Sequence, residues 1–277
     1  MVPMFPDKPF PPTYDRRIEL VLGVRPRRLM VTGVSKLPGT GTGAGTGAGT
    51  GARARSRPRR FGIARLCEAF AAGISVGCFS TDGTRAPAVA TALGEDVADG
   101  EVTERFALAL PAFSERVLAP FVAMADTHVW TGRGLSAFAL VEEPGAGEVV
   151  TRVTELPREA VKKPTLPFEV DVPRDTYLKE LSVLVRLRAK DAEGRALEAI
   201  SAAATAWAEL AHAGAFSGGS DVPFSGAELV DVTDPFEDEI AIGLLSYHGG
   251  PDGWYALLRA LACVDAAGIG IAEVEID

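Results

Sequence analysis

The strongest constraint on this chain is internal repetition, because two copies of one segment must fold by the same rules. Residues 13–28 match 176–191 at an offset of 163. Thr13-Tyr14 falls on Thr176-Tyr177, and Ile18, Leu20, Leu22 and Val24 fall on Leu181, Val183, Val185 and Leu187. Both stretches alternate apolar residues with period two, which predicts a strand with one buried face. A helical pattern follows in each. Ile63, Leu66, Cys67, Phe70, Ala71 and Ile74 make one stripe, and Leu197, Ile200, Ala204, Trp207 and Ala211 make another. The stripes end in similar phrases, Gly77-Cys78-Phe79-Ser80 and Gly214-Ala215-Phe216-Ser217, at an offset of 137. A third block aligns at 134 and sets Phe106, Leu108 and Leu110 on Ile240, Ile242 and Leu244.

Each copy reads strand, helix, unclear region, strand, helix, strand. One more strand in the unclear region gives the split βαβ order. AELVDV at 227–232 supplies it in the second copy. The equivalent ALGEDVADGEV is polar, so that strand is expected to be short or absent in the first. Pro120 falls on Trp254, which places the proline in the first turn of its helix, where a missing N–H costs little. Gly134 and Gly268 suit the turns that follow. The expected fold is α+β: two tandem ferredoxin-like (split βαβ) α/β-sandwich domains related by internal duplication. Residues 1–143 form the first copy, with a Gly/Thr/Arg-rich insertion at 37–60. Residues 144–173 form a proline-rich linker in which 148–156 suit a short edge strand, and 174–277 form the second copy.

Charge divides the chain. Twelve Lys/Arg against three acids give residues 1–60 a charge of +9, and the total of −9 leaves −18 for the rest. An acidic body repels nucleic acid and attracts cationic surfaces. The three cysteines, Cys67, Cys78 and Cys263, form no CxxC pair, which fits buried reduced thiols. MVPMFPDKPFPP is not a secretory signal, and no apolar run reaches membrane-spanning length, so the expected location is the cytoplasm.

Several segments are candidates for chemistry. GTGTGAGTGAGTG at 39–51 lacks the Gly-Lys-Ser/Thr of a phosphate loop and reads as a low-complexity insertion. Arg53, Arg55, Arg57, Arg59 and Arg60 form a basic arm suited to phosphates or to an acidic protein face. His128 and His212 sit late in helices, a structural position, and no metal-ligand spacing appears. The loop from Ser246 to Tyr255 is the richest, with Tyr247, His248, Asp252 and Trp254 as candidate contacts. An acidic cluster just upstream, with Asp231, Asp234, Glu237, Asp238 and Glu239, is a candidate docking surface for a basic partner. No cofactor is implied.

These features favour a non-catalytic acidic binding protein, such as a toxin-neutralising protein or an adaptor. Its partner is another protein with a basic surface, and no membrane is involved. One alternative is RNA binding or processing through the basic arm, since tandem ferredoxin-like domains with a Gly-rich loop resemble the RNA-processing proteins of bacterial CRISPR systems in architecture. Another is a small-molecule enzyme using the His248 loop.

Overall fold

A computed structural model describes residues 16–21, 27–36, 62–80, 82–110, 115–130, 135–142, 152–153, 164–171, 181–191, 193–216, 227–236, 238–247 and 251–277. The first half runs β1 (Arg16–Val21), β2 (Arg27–Lys36), α1 (Ile63–Val76), β3 (Val89–Ala98), β4 (Glu101–Leu110), α2 (Glu115–Trp130), β5 (Ala137–Glu142) and β6 (Arg152–Val153). The second runs β7 (Glu169–Asp171), β8 (Leu181–Leu187), α3 (Arg195–His212), β9 (Ala227–Phe236), β10 (Glu239–Tyr247), α4 (Pro251–Val264) and β11 (Ile271–Ile276). The architecture is mixed α+β, with two mainly antiparallel sheets and, among the described residues, four α-helices.

The first sheet has the order β3-β4-β2-β5-β1-β6 and the second β7-β11-β8-β10-β9. In each, the strand that opens the βαββαβ run lies between the third and the fourth. Each sheet also gains a strand parallel to its last one: β1 beside β5, and β7 beside β11. β6 pairs antiparallel with β1, inside the stretch where an edge strand was expected.

One sequence alignment fails here. Residues 16–21 form a strand, but they flank β5 and are not the counterpart of β8. That place belongs to β2. Val31 pairs with Phe106 as Val185 pairs with Ile240, and Leu29 pairs with Leu108 as Val183 pairs with Ile242. Strands in equivalent sheet positions are therefore 154 residues apart. The reason is Gly33, which interrupts the apolar alternation of β2. A Cβ there would lie 2.5 Å from the Cβ of Ile63, so α1 packs directly on the strand backbone.

Two further expectations are corrected. The second strand of the first half is present and long: β3 has ten residues. It is polar because nearly all of it is exposed, so burial imposes no apolar pattern on it. Pro120 is also not in a first turn. α2 begins at Glu115, which leaves the proline inside the helix. One hydrogen bond is lost there, against the burial of Leu118, Phe121, Val122, Met124 and Ala125.

The helix ends do match as the sequence suggests. Gly77 and Gly214 both adopt left-handed φ, at 96° and 90°. The amide of Gly77 donates to Ile74 and that of Cys78 to Gly73, while Gly214 donates to Ala211 and Ala215 to Leu210. These are the same bonds at an offset of 137.

One core joins both halves. Strand residues Leu29, Val31, Phe106, Leu108, Phe138 and Leu140 meet α1 and α2, and Val183, Val185, Ile240, Ile242, Val274 and Ile276 meet α3 and α4. Phe70 of α1 contacts Phe79 at 5.7 Å and Phe121 at 5.0 Å. The helical layers then pack on each other. Gly73 of α1 receives Leu210 of α3, Gly77 lies against Cys263 of α4, and Arg65 pairs with Glu209 at 2.9 Å. Each sheet therefore keeps one face away from the helices.

Candidate functional site

Strand alternation decides what each open face displays. On the second sheet, Val183, Val185, Leu187, Ile240, Ile242 and Leu244 are buried. Their neighbours Leu184, Arg186, Glu239, Ala241 and Gly243 point the other way. β11 sends Val274 and Ile276 inward, so Glu273 and Glu275 face outward. Residues directly opposite in register share a face. Glu169 lies across from Glu273, Asp171 across from Glu275, and Asp231 across from Gly243. Phe236, opposite Glu239, is 65% exposed, the highest value among the large hydrophobics of the described residues.

The open face thus carries Glu169, Asp171, Asp231, Glu239, Glu273 and Glu275. Arg186 sits near its centre and binds three of them: Nε to Glu239 at 3.1 Å, Nη1 to Glu273 at 2.5 Å and Nη2 to Glu275 at 2.9 Å. Its hydrogen bonds to Glu273 and then to Glu239 hold the guanidinium pKa above the ordinary arginine range. Among the described residues, six carboxylates against Arg186 and, at the end of the same outward row, Arg188, which donates to the Pro167 carbonyl at 3.1 Å, leave this face net negative, with an aromatic ring at its β9–β10 border. The first sheet differs. The centre of its open face is uncharged and partly exposed, with Met30, Thr32, Val34, Ala137, Ala139 and Val141, while Arg28 and the Arg105–Asp96 pair flank it.

The residues singled out in the sequence divide among several places. Glu239 is on the acidic face, bonded to Arg186. Asp238 lies exposed in the β9–β10 turn, and its carbonyl accepts from the amide of Leu187. Asp234 lies in β9 and Tyr247 ends β10. Asp252 is in the first turn of α4, half-buried, and desolvation raises its carboxyl pKa against an opposing pull from Arg259. Trp254 is 2% exposed and stacks on Trp207 at 5.6 Å, inside α4 and turned into the core. The indole N–H of Trp207 donates to the Gly253 carbonyl at 2.7 Å, which ties α3 to the start of α4. Glu237, His248, Arg53, Arg55, Arg57, Arg59 and Arg60 lie outside the described residues. His128 and His212 occupy the last turns of α2 and α3. The thiols of Cys67, Cys78 and Cys263 are buried and free. Among the described residues, no group of three His, Cys, Asp or Glu side chains is arranged to hold a metal ion. No described helix is long and apolar enough to cross a membrane.

Sequence reasoning missed Glu169, Asp171, Arg186, Glu273, Glu275 and Phe236. For the β11 pair a signal existed. The alternation of IGIAEVEID puts both glutamates on the face opposite Val274 and Ile276.

No family model matches the chain, and no curated protein matches it. Among solved structures it is similar to that of a candidate glycine cleavage system transcriptional repressor, at 9% identity, with 91% of this chain and 95% of the other covered. The TM-score is 0.20, too low for the likeness to bear on fold or function.

Proposed function

We propose that this chain is a non-catalytic binding protein built from two duplicated ferredoxin-like units, and that the acidic open face of the second sheet takes a basic partner protein. The duplication reading is supported by the shared strand order, the matching helix caps and the extra parallel strand in both units. The functional reading is carried by one observation, six carboxylates gathered on an open face around Arg186 with Phe236 exposed beside them. A negative face steers cationic partners and repels phosphate, so a protein is favoured over RNA. An exposed aromatic at the border of a charged patch provides apolar contact area that a protein partner uses.

The test is calorimetric titration of the full chain with an oligo-lysine peptide and, separately, with a single-stranded RNA oligonucleotide, at low and high salt. The peptide should bind, and its affinity should fall as salt rises. Reversing Glu169, Asp171 and Asp231 to lysine should weaken it at least about tenfold at low salt, a shift of about 1.4 kcal/mol. Tighter binding of the RNA than of the peptide, or no change in the triple variant, would reject the reading.

A further inference from the structure

We propose that the outer edge of β3 is a second docking site, which takes an extended basic segment of a partner protein as an added strand of the first sheet. β3 is the last strand of that sheet, and among the described residues no strand covers its outer edge. An uncovered edge offers a row of backbone donors and acceptors to any extended chain.

Two observations separate β3 from the other edges. The first is apolar exposure. Val89, Leu93 and Val97 are 55%, 41% and 61% exposed, and they are three of the four large hydrophobics exposed among the described residues. The second is weaker protection: the carboxylates of β3 lie beyond its one bulge, and residues 89–93 carry no charge or proline. β9 holds the corresponding place in the second sheet, but it contains Pro235 and shifts register three times against β10. β6 and β7 have two and three residues. β3 has ten, no proline and a single shift, between Ala92 and Gly94.

Charge and register select the occupant. The distal end of the β3–β4 hairpin carries Glu95, Asp96, Asp99 and Glu101, with Arg105 paired to Asp96. A segment laid along β3 therefore meets apolar side chains near Val89 and Leu93 and carboxylates beyond Gly94. It fits best with β-branched residues at one end and Lys or Arg at the other. A second copy of β3 does not fit. The shift at Ala92–Gly94 exchanges the two faces: Val89 and Thr91 lie across from Ala109 and Ala107, whereas downstream Gly94 and Asp96 take the equivalent places across from Arg105 and Thr103. A symmetric antiparallel pair spanning the shift would set residues of opposite faces against each other. A downstream pair centred on Glu95 or Asp96 would oppose that carboxylate to its own copy.

This site is separate from the acidic face of the second sheet, and its test stands apart from that reading. The probe is a synthetic twelve-residue peptide with alternating valine and threonine in one half and alternating lysine and threonine in the other. Binding is read by fluorescence anisotropy, and the location by amide hydrogen exchange. The peptide should bind and slow exchange across residues 89–98. The double variant Val89→Lys/Leu93→Lys, checked for folding by circular dichroism, should lose at least about tenfold in affinity, and so should Glu95→Lys/Glu101→Lys. Replacing the peptide's lysines with glutamate should abolish binding. The triple variant of the second sheet, Glu169→Lys/Asp171→Lys/Asp231→Lys, should leave protection at 89–98 unchanged. Three results would overturn the proposal: no binding up to about 1 mM peptide, where affinity is only about −4 kcal/mol; binding without protection at 89–98; or protection that grows with protein concentration in the absence of peptide, which would identify a second copy as the occupant.

Discussion

Replacing Gly77 with alanine tests whether the two halves share one core. Gly77 ends α1 with φ 96° and ψ 17°, a left-handed conformation that costs a side-chain-bearing residue about 1–2 kcal/mol. The added Cβ would also lie 2.3 Å from Sγ and 3.0 Å from Cβ of Cys263 in α4. Overpacking of this kind costs about 1–3 kcal/mol. The loss of glycine's freedom in the unfolded chain returns about 0.4–1 kcal/mol. The net expectation is a destabilisation of about 1–4 kcal/mol, a large part of the ~5–15 kcal/mol that holds a typical domain folded. Urea unfolding of the full chain measures it, as a lower midpoint with unchanged slope. Geometry also sets the coupling. Cys263→Ala removes Sγ, the nearer obstacle, but leaves the φ cost. In a double-mutant cycle Gly77→Ala should therefore cost less in the Cys263→Ala background, by about 0.5–3 kcal/mol. A single variant within about 0.5 kcal/mol of the parent, or a cycle with no coupling, would refute the packing of α1 against α4.

Two further predictions concern titrating groups. The Glu104 carboxylate accepts from the Ile63 amide at the start of α1, where Gly62 supplies no side-chain cap, and desolvation raises its pKa above the ordinary glutamate range. The folded state then holds this proton more tightly than the unfolded state does, so Glu104 lowers stability as pH rises from the ordinary value through the raised one. Glu104→Gln keeps an acceptor for Ile63, and pH-dependent urea melts should show a flatter profile across that window, with stability at neutral pH equal to or above the parent; a steeper profile would contradict the assignment. Burial, first among the causes, pushes the thiols of Cys67, Cys78 and Cys263 upward, so in the native protein all three should react with a disulfide reagent at pH 8 at less than about a hundredth of a free thiol's rate. Rapid modification of even one thiol before unfolding would contradict the burial.

Much of the second half was legible in the sequence because its strands carry clean period-two patterns over a buried face. Val183, Val185 and Leu187, and Ile240, Ile242 and Leu244, alternate inward without interruption, and AELVDV marks the start of β9. The first half misled for two physical reasons. Gly33 takes an inward position because Ile63 leaves no room for a side chain, so the central strand lost its apolar signature. β1, an added strand, kept a strong one through Ile18 and Leu20 and drew the alignment nine residues away from the offset that the sheet positions give. β3 was illegible because its residues answer to solvent rather than to a core. Hydrophobic patterning reports burial, and it reports strands only where burial and strand coincide.

The acidic face was harder to read because no local segment contains it. Its carboxylates run from Glu169 to Glu275 and meet only because the sheet order sets β7, which precedes the βαββαβ run, beside β11, which closes it. A charge of −18 outside the first 60 residues gave the sign but not the place. The contiguous cluster at 231–239 drew attention because it is contiguous, yet chain proximity is a poor guide within a hairpin. Asp231 and Glu239 reach the open face, while Asp238 lies in the turn. Arg186 explains why the face can hold together. In register it stands across from both Glu239 and Glu273, so one guanidinium offsets repulsion among three carboxylates on two flanking strands. Glu169, Asp171 and Asp231 lie on the outer strands β7 and β9, away from the three carboxylates that Arg186 binds, and there the proposed cationic partner would meet the least compensated charge. That is why charge reversal at these outer positions, rather than at the arginine-bound glutamates, separates a loss of binding from a loss of fold.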